Sequence, residues 1–258
     1  MNTACPGSVR GAVVTFDQLD STNGEAMRRV AAGERGPLWI LAHRQTAGRG
    51  RSGREWVSPR GNLAVSLIFM PQCLPAQVPQ LSLIAGVAVH QALEALWPEG
   101  VAGRRLRLKW PNDLLIGQAK LGGILVESTR FAADLVAVIG IGINIAATPD
   151  ILDRSVTSMA EHVSGPPAAE ALVSHIAERL DACLAEWSQP AGFDGLRRQW
   201  LARAGPIGEA MSVNTGAGAV AGTFAGLDTD GALLLCGAND RQLRFTFGDV
   251  TLNTTLKV

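Results

Sequence analysis

The stretch Leu106-Arg107-Leu108-Lys109-Trp110-Pro111-Asn112-Asp113-Leu114-Leu115-Ile116-Gly117-Gln118-Ala119-Lys120-Leu121-Gly122-Gly123-Ile124-Leu125-Val126-Glu127 decides the fold, because it packs strands and turns tightly together. Leu106 to Trp110 alternates apolar and polar side chains as a half-buried strand does. Pro111 has no N–H and a fixed φ, so it stops that strand. The turn around Gly117 is tight enough for its flanking segments to pair as an antiparallel hairpin. Ile124-Leu125-Val126 and Leu135 to Ile145 supply further apolar strands bounded by turns.

Working outward, Val13 to Phe16, Leu38 to Ala42 and Asn62 to Phe69 read as strands. Ser21-Thr22-Asn23 precedes a helical stretch from Glu25 to Val30, with Thr22 and Glu25 at capping-box spacing. Leu81 to Trp97 predicts an amphipathic helix. Leu172, Ile176, Leu180, Leu184 and Trp187 mark a long one, and Phe193 to Ala204 a shorter one. After Gly205-Pro206 the chain changes to short alternating runs separated by Gly, Asp and Asn, the pattern of a small antiparallel barrel. The expectation is an α+β fold, with a mixed sheet and helices over residues 1–205 and a small β-barrel over residues 206–258 that packs on the first unit.

The 258 residues are 47% hydrophobic and 18% charged with a formal net charge of +0, which fits a globular enzyme and excludes large-scale disorder. A general attraction to nucleic acid or to an acidic membrane is not supported. Cys5, Cys73, Cys183 and Cys236 are scattered singly, as reduced thiols in a reducing cytosol are. No secretion signal opens the chain, and no run is long enough to span a membrane. A cytoplasmic location is expected.

Gly48-Arg49-Gly50-Arg51-Ser52-Gly53-Arg54-Glu55-Trp56 interleaves glycine with arginine. Glycines let backbone N–H groups approach an oxyanion, and guanidinium forks bond it in pairs. A solvated basic turn or a nucleic-acid-binding segment would read the same way. No Gly-Lys-Ser/Thr phosphate loop exists. Gly140-Ile141-Gly142-Ile143-Asn144 fails the dinucleotide pattern because Ile145 fills the third glycine position.

Taken in order, Ser-Thr-Asn at 21–23, the glycine-arginine loop at 48–56, Lys-Trp-Pro-Asn-Asp at 109–113, Lys-Leu-Gly-Gly-Ile-Leu-Val-Glu at 120–127 and Gly-Ile-Gly-Ile-Asn at 140–144 resemble the catalytic domain of a biotin protein ligase. The C-terminal barrel resembles that family's SH3-like domain. The match spans almost the whole chain. It implies a class II synthetase-like mixed sheet, ATP with Mg²⁺, and a biotinyl-adenylate that delivers biotin to a lysine of the biotin carboxyl carrier domain of acetyl-CoA carboxylase or another biotin-dependent carboxylase. The first catalytic strand begins near Val13, so the winged DNA-binding domain of some members is not expected. Neither DNA nor membrane is an expected partner, and a homodimer is admitted.

By resemblance, Lys120 bridges the biotin carboxylate and the α-phosphate, with Arg51 and Asp113 completing the catalytic set. Ser21, Thr22, Asn23, Gln45, Gly48, Arg49, Gly50, Gly122 and Gly123 hold biotin with Lys120. Arg51, Arg54, Trp56, Lys109, Asn112 and Asn144 hold the nucleotide, and Asp113 orients Lys120 or binds Mg²⁺. Plainer readings stand beside these. Lys120 could close a surface turn, Asp113 could satisfy its own backbone, the capping box explains residues 21–23, and Trp110 reads as core. A lipoate-protein ligase of the same general fold is the nearest alternative function, and a nucleic-acid-binding protein using the loop a more distant one.

Overall fold

The computed structural model describes residues 8–96, 106–131, 134–150, 155–216 and 218–252. Cys5 and Trp97 lie outside them. Strands β1 (Ala12–Phe16), β2 (Leu38–Ala42), β3 (Leu63–Phe69), β4 (Leu106–Lys109), β5 (Asp113–Ile116), β6 (Ala119–Phe131) and β7 (Asp134–Ile143) form one sheet in the order β1-β2-β3-β7-β6-β5-β4. β1 and β2 run parallel and the other neighbours antiparallel, so the sheet is mixed, as expected. Gly117 makes the β5–β6 turn at φ +61°, a conformation that an L side chain rarely adopts.

The two faces of this sheet are treated differently. One is covered by α2 (Gln80–Leu96), which packs in turn against α3 (Ala169–Trp187) and α4 (Gly192–Ala202). α2 is not the amphipathic surface helix expected. Twelve of its residues are buried, because the sheet lies on one side of it and two helices on the other. Two of its polar residues tie it to its neighbours: Gln80 Oε1 accepts from Trp187 Nε1 at 2.8 Å, and Gln91 Nε2 donates to Gln199 Oε1 at 3.0 Å.

The opposite face is covered only in part. α1 (Thr22–Ala31) buries Ala26 and Val30 against Leu38, Ile40, Ile68, Val136 and Val138. Beyond its N-terminus the same face continues as Ala64 and Ser66 of β3, Gly140 and Gly142 of β7, and Gly123 and Leu125 of β6. Thr22 and Asn23, at the start of α1, reach Ser66 and Gly140, and the cleft opens over the rest of this row.

Strands β8 (Ala210–Asn214), β9 (Ala219–Leu227), β10 (Leu233–Cys236), β11 (Gln242–Phe245) and β12 (Asp249–Leu252) form a second, antiparallel sheet in the order β11-β10-β9-β8-β12. The expected barrel does not close: β11 and β12 are the two edges, with no ladder between them among the described residues. The sheet instead shares the main core. Met211, Val213, Phe224, Leu233, Leu235 and Val250 belong to the same buried cluster as β3, β7 and α2. Trp110 Nε1 donates across the junction to Gly231 O at 3.1 Å, consistent with its reading as a core residue.

Candidate active site

The cleft is open to solvent and draws its walls from both sheets. Five cations line it, Arg49, Arg51, Arg54, Lys109 and Lys120, against three carboxylates, Glu55, Asp113 and Asp249.

At its centre is Asp113, the first residue of β5, with only 9% of its surface exposed. Lys120 Nζ lies 2.5 Å from Oδ1 and Lys109 Nζ 2.8 Å from Oδ2. Burial alone would push this carboxyl up. The charges of Lys120 and Lys109 and their hydrogen bonds outweigh it and hold the pKa at about 2. A register shift brings Lys120 here. Leu114 pairs with Gly122 but Leu115 with Lys120, so the bulge at Leu121 turns that leucine into the core and aims Lys120 at the cleft. Lys120 Nζ also stands 5.6 Å from the centre of the Trp56 ring.

Expected as a possible Mg²⁺ ligand, Asp113 has both oxygens committed to lysines, and no group of three His, Cys, Asp or Glu side chains suited to a metal occurs among the described residues. This donor set does not fit a protein-held metal ion. It fits a counter-charge that spaces two ammonium groups.

The floor is polar where it meets α1. The helix cap is Ser21, whose hydroxyl accepts from Gly24 N at 3.3 Å, rather than the Thr22–Glu25 box. Thr22 and Asn23 are thereby turned to the sheet. Thr22 donates to Gln45 Oε1 through N at 2.7 Å and through Oγ1 at 3.1 Å. Asn23 Nδ2 donates to Glu127 Oε2 at 2.8 Å, and its Oδ1 accepts from Ser66 Oγ at 2.6 Å. This amide lies over Gly140 so closely that a Cβ there would sit 2.1 Å from Asn23 Oδ1. The Trp56 indole covers Gly142 in the same way, 2.4 Å from where a Cβ would stand. The glycines therefore let polar and aromatic groups rest directly on the backbone.

The rim is the glycine-arginine loop. Gly50 N donates to Arg54 O at 2.7 Å, and Trp56 N to Gly48 O at 2.9 Å, around a 3-10 turn at Arg51–Gly53. Arg49 Nη2 reaches Glu127 Oε2 at 3.4 Å, and Arg51 Nη1 donates to Asn112 Oδ1 at 3.2 Å. Asn112 is itself locked to β6 through Ile124 O at 2.8 Å. Partial burial pushes Arg51 below its usual value, while Asp249 and Asp113 pull it back up.

Of the residues expected to bind ligand, Ser21, Thr22, Asn23, Gln45, Arg49, Gly50, Arg51, Arg54, Trp56, Lys109, Asn112, Asp113, Lys120 and Gly123 line the cleft. Gly48, Gly122 and Asn144 are buried and are not among its lining residues. Asn144, expected at the adenine, is 2% exposed and donates through Nδ2 to Thr157 O at 3.0 Å, tying β7 to the segment that follows. Three residues that hold lining side chains, Ser66 and Glu127 on Asn23 and Asp249 on Arg54, were not singled out from the sequence. Ser66 is the lone hydroxyl in the apolar strand Leu63–Phe69, a signal that was available. Glu127 ends a motif already noted, whereas nothing near Asp249 in the chain announces it.

A mixed sheet carrying a cation-rimmed cleft, with a second small sheet docked at the rim, defines a protein built to hold an anionic ligand. Residues 16–144 match the Biotin/lipoate A/B protein ligase family, and residues 207–252 match the Biotin protein ligase C terminal domain. A biotin--[acetyl-CoA-carboxylase] ligase of Paracoccus denitrificans is 39% identical over 88% of this chain and 95% of its own. The biotin protein ligase of Leishmania major, solved with biotinyl-5-AMP, superposes with a TM-score of 0.60 at 26% identity, over 94% of this chain and all of that one. The biotin protein ligase of Aquifex aeolicus, solved with biotin and ATP, has the same fold, with a TM-score of 0.77 at 24% identity over 93% of this chain and 98% of that one. The chain belongs to the biotin/lipoate A/B protein ligase family, and within it to the biotin protein ligases.

Proposed function

We infer that this chain couples ATP to the attachment of biotin to a lysine of a biotin carboxyl carrier domain, in two half-reactions at the one cleft. In the first, a biotin carboxylate oxygen attacks the α-phosphorus of ATP and pyrophosphate leaves. In the second, the carrier's lysine amine attacks the acyl carbon of the adenylate and AMP leaves. The observation that carries this reading is the Lys109–Asp113–Lys120 cluster opening onto a cleft, in a chain 39% identical to such a ligase.

The first half-reaction brings two anions together. At 4 Å, like unit charges repel by about 1 kcal/mol in water and about 4 kcal/mol at an effective dielectric of 20. Lys120 is the cation best placed to stand between the carboxylate and the α-phosphate, and Asp113 fixes its direction. Arg51, Arg54 and Lys109 face the phosphates. Thr22, Gln45 and the floor around Gly140 accommodate the ring of biotin, with Asn23 held by Ser66 and Glu127 acting as part of that floor. Trp56 and the loop cover the mixed anhydride against water. Mg²⁺ enters with ATP as part of the substrate, and catalysis is positioning and charge stabilisation.

Residues 1–205 are taken as the catalytic unit and 206–258 as the C-terminal unit. No helix among the described residues is long and apolar enough to cross a membrane. The free thiols of Cys73, Cys183 and Cys236 fit a reducing compartment, and we place the reaction in the cytoplasm. A lipoate substrate is disfavoured because the matched relatives and the C-terminal match are those of biotin ligases. A nucleic-acid role for the loop is disfavoured because Arg51 and Arg54 turn inward to Asn112 and Asp249.

Biotin-dependent exchange of pyrophosphate into ATP tests the reading. Exchange is expected with biotin and not with lipoate or octanoate. Exchange supported by lipoate would overturn it.

A further inference from the structure

The geometry points to Asp249 as a positioning residue for the arginine loop, through which the C-terminal sheet sets the two guanidiniums that face the nucleotide. It rests on the functional reading above and extends the active site into a part of the chain that carries none of the motifs.

The chain enters β12 through Gly248 at φ +137°, where a Cβ would lie 2.5 Å from Val213 Cγ1 and 3.1 Å from Asn214 O. Only glycine fits that corner without displacement. The turn presents three acceptors to the cleft in succession. Gly248 O accepts from Arg51 Nη2 at 3.1 Å. The Asp249 carboxylate faces Arg51 Nη1 at 3.7 Å through Oδ1 and pairs with Arg54 Nη2 through Oδ2. Val250 O accepts from Lys109 Nζ at 2.9 Å.

The loop's own hydrogen bonds fix its backbone but leave the arginine side chains undirected. An arginine side chain carries roughly 2 kcal/mol of rotamer entropy, and ordering it in advance lowers what a ligand must spend on it. Asp249 does this for two arginines at once. It does not block them, because each guanidinium has five N–H donors, and those not used by Asp249, Gly248 O or Asn112 Oδ1 stay available for phosphate oxygens. A half-exposed carboxylate, its side chain 31% accessible, is a weak competitor for a polyphosphate.

The test uses the full chain with Asp249→Ala and Asp249→Asn, alone and combined with Arg54→Ala. ATP affinity by calorimetric titration, the KM for ATP and kcat of biotin-dependent exchange, the release rate of biotinyl-adenylate and the Tm are measured. Asp249→Ala is expected to weaken ATP binding and raise its KM by up to about fivefold, the range for losing a half-exposed ion pair. It should speed adenylate release, change kcat less and leave Tm unmoved. Asp249→Asn keeps an acceptor and should fall between. In the Arg54→Ala background the added loss should be under about 1.5-fold, since the two side chains act as one. Losses that multiply independently, tighter ATP binding in either variant, or a lowered Tm with an unchanged KM would each overturn the assignment. Calorimetry separates this from the functional reading. ATP affinity that depends on Asp249 without any exchange on biotin would sink only the ligase function. Normal exchange with unaltered ATP affinity would sink only Asp249.

Discussion

Lys120 and Arg54 face the same cleft, yet the wall that holds each is built on different physics. Lys120 sits on a strand, beside a carboxylate with 11% of its side chain exposed that also binds Lys109, over glycines packed against Trp56 and Asn23. Arg54 sits on a loop and pairs with a carboxylate of another sheet, at 43% and 31% side-chain exposure. The strand wall is over-determined, since removing one member leaves a buried charge or a steric conflict. Along the loop wall the pairs are half-exposed, and such a pair is worth about 0–1 kcal/mol in isolation. The difference suits a reaction that needs one fixed cation for chemistry and a cover that must open for ATP, carrier and products.

The largest expected effect falls on the strand wall. Lys120→Ala should lower the adenylation rate by about 10²- to 10³-fold, or about 2.7–4 kcal/mol, the range for removing one preorganised donor. Lys120→Arg should fail nearly as badly, because a planar fork cannot occupy the gap of a point charge 2.5 Å from Asp113 Oδ1. Transfer from preformed biotinyl-adenylate should suffer less, since the phosphorus–oxygen bond to the acyl group already exists. Single-turnover measurement of each half-reaction checks this. An unchanged adenylation rate in Lys120→Ala would return Lys120 to the role of a turn residue and erase the contrast between the walls.

Next in size is the floor itself. Alanine at Gly140 would drive a Cβ into Asn23, whose amide is held by Ser66 and Glu127 and has nowhere to go. Overpacking of this kind costs about 1–3 kcal/mol. In a chain of this size each kcal/mol lowers Tm by about 2–4 °C. Gly142→Ala meets instead the Trp56 indole, which belongs to the loop and can swing out. It should spare Tm and raise the KM for substrates. Calorimetric Tm and steady-state KM of the two variants decide the matter, and equal losses of Tm would mean that the loop is as rigid as the sheet.

How much of this was legible in the sequence follows the same division. The strands, helices α3 and α4 and the hairpin at Gly117 were readable because their periodicity and turn residues are local. Lys120, Asp113 and the loop arginines stood in dense motifs and do line the cleft. The misreadings came where tertiary structure overrode local pattern. α2 looked amphipathic but is enclosed, and Thr22 looked like a cap while Ser21 serves as one. The bulge that aims Lys120 depends on the pairing of β5 with β6, and Asp249 meets Arg51 and Arg54 across some two hundred residues of chain, so neither has a local signature.

The smallest expected effect bears most directly on the comparison, because it separates the walls without changing a residue. Raising ionic strength shortens the Debye length from about 10 Å at 0.1 M to about 3 Å at 1 M, and it weakens exposed pairs far more than buried ones. Arg49–Glu127, with side chains 49% and 29% exposed, and Arg54–Asp249 are of the first kind. Lys120–Asp113, at 14% and 11%, is of the second. At saturating ATP and biotin, added KCl should therefore leave the single-turnover adenylation rate within about twofold. Release of bound biotinyl-adenylate should quicken by up to about fivefold, the factor that corresponds to 1 kcal/mol of lost surface pairing. Release followed by trapping the freed adenylate, alongside quenched-flow adenylation, measures both at each salt concentration. If adenylation collapsed with salt while release stayed constant, the Lys109–Asp113–Lys120 cluster would be the solvent-screened element and the loop the rigid one, the reverse of what the burial of the two walls implies.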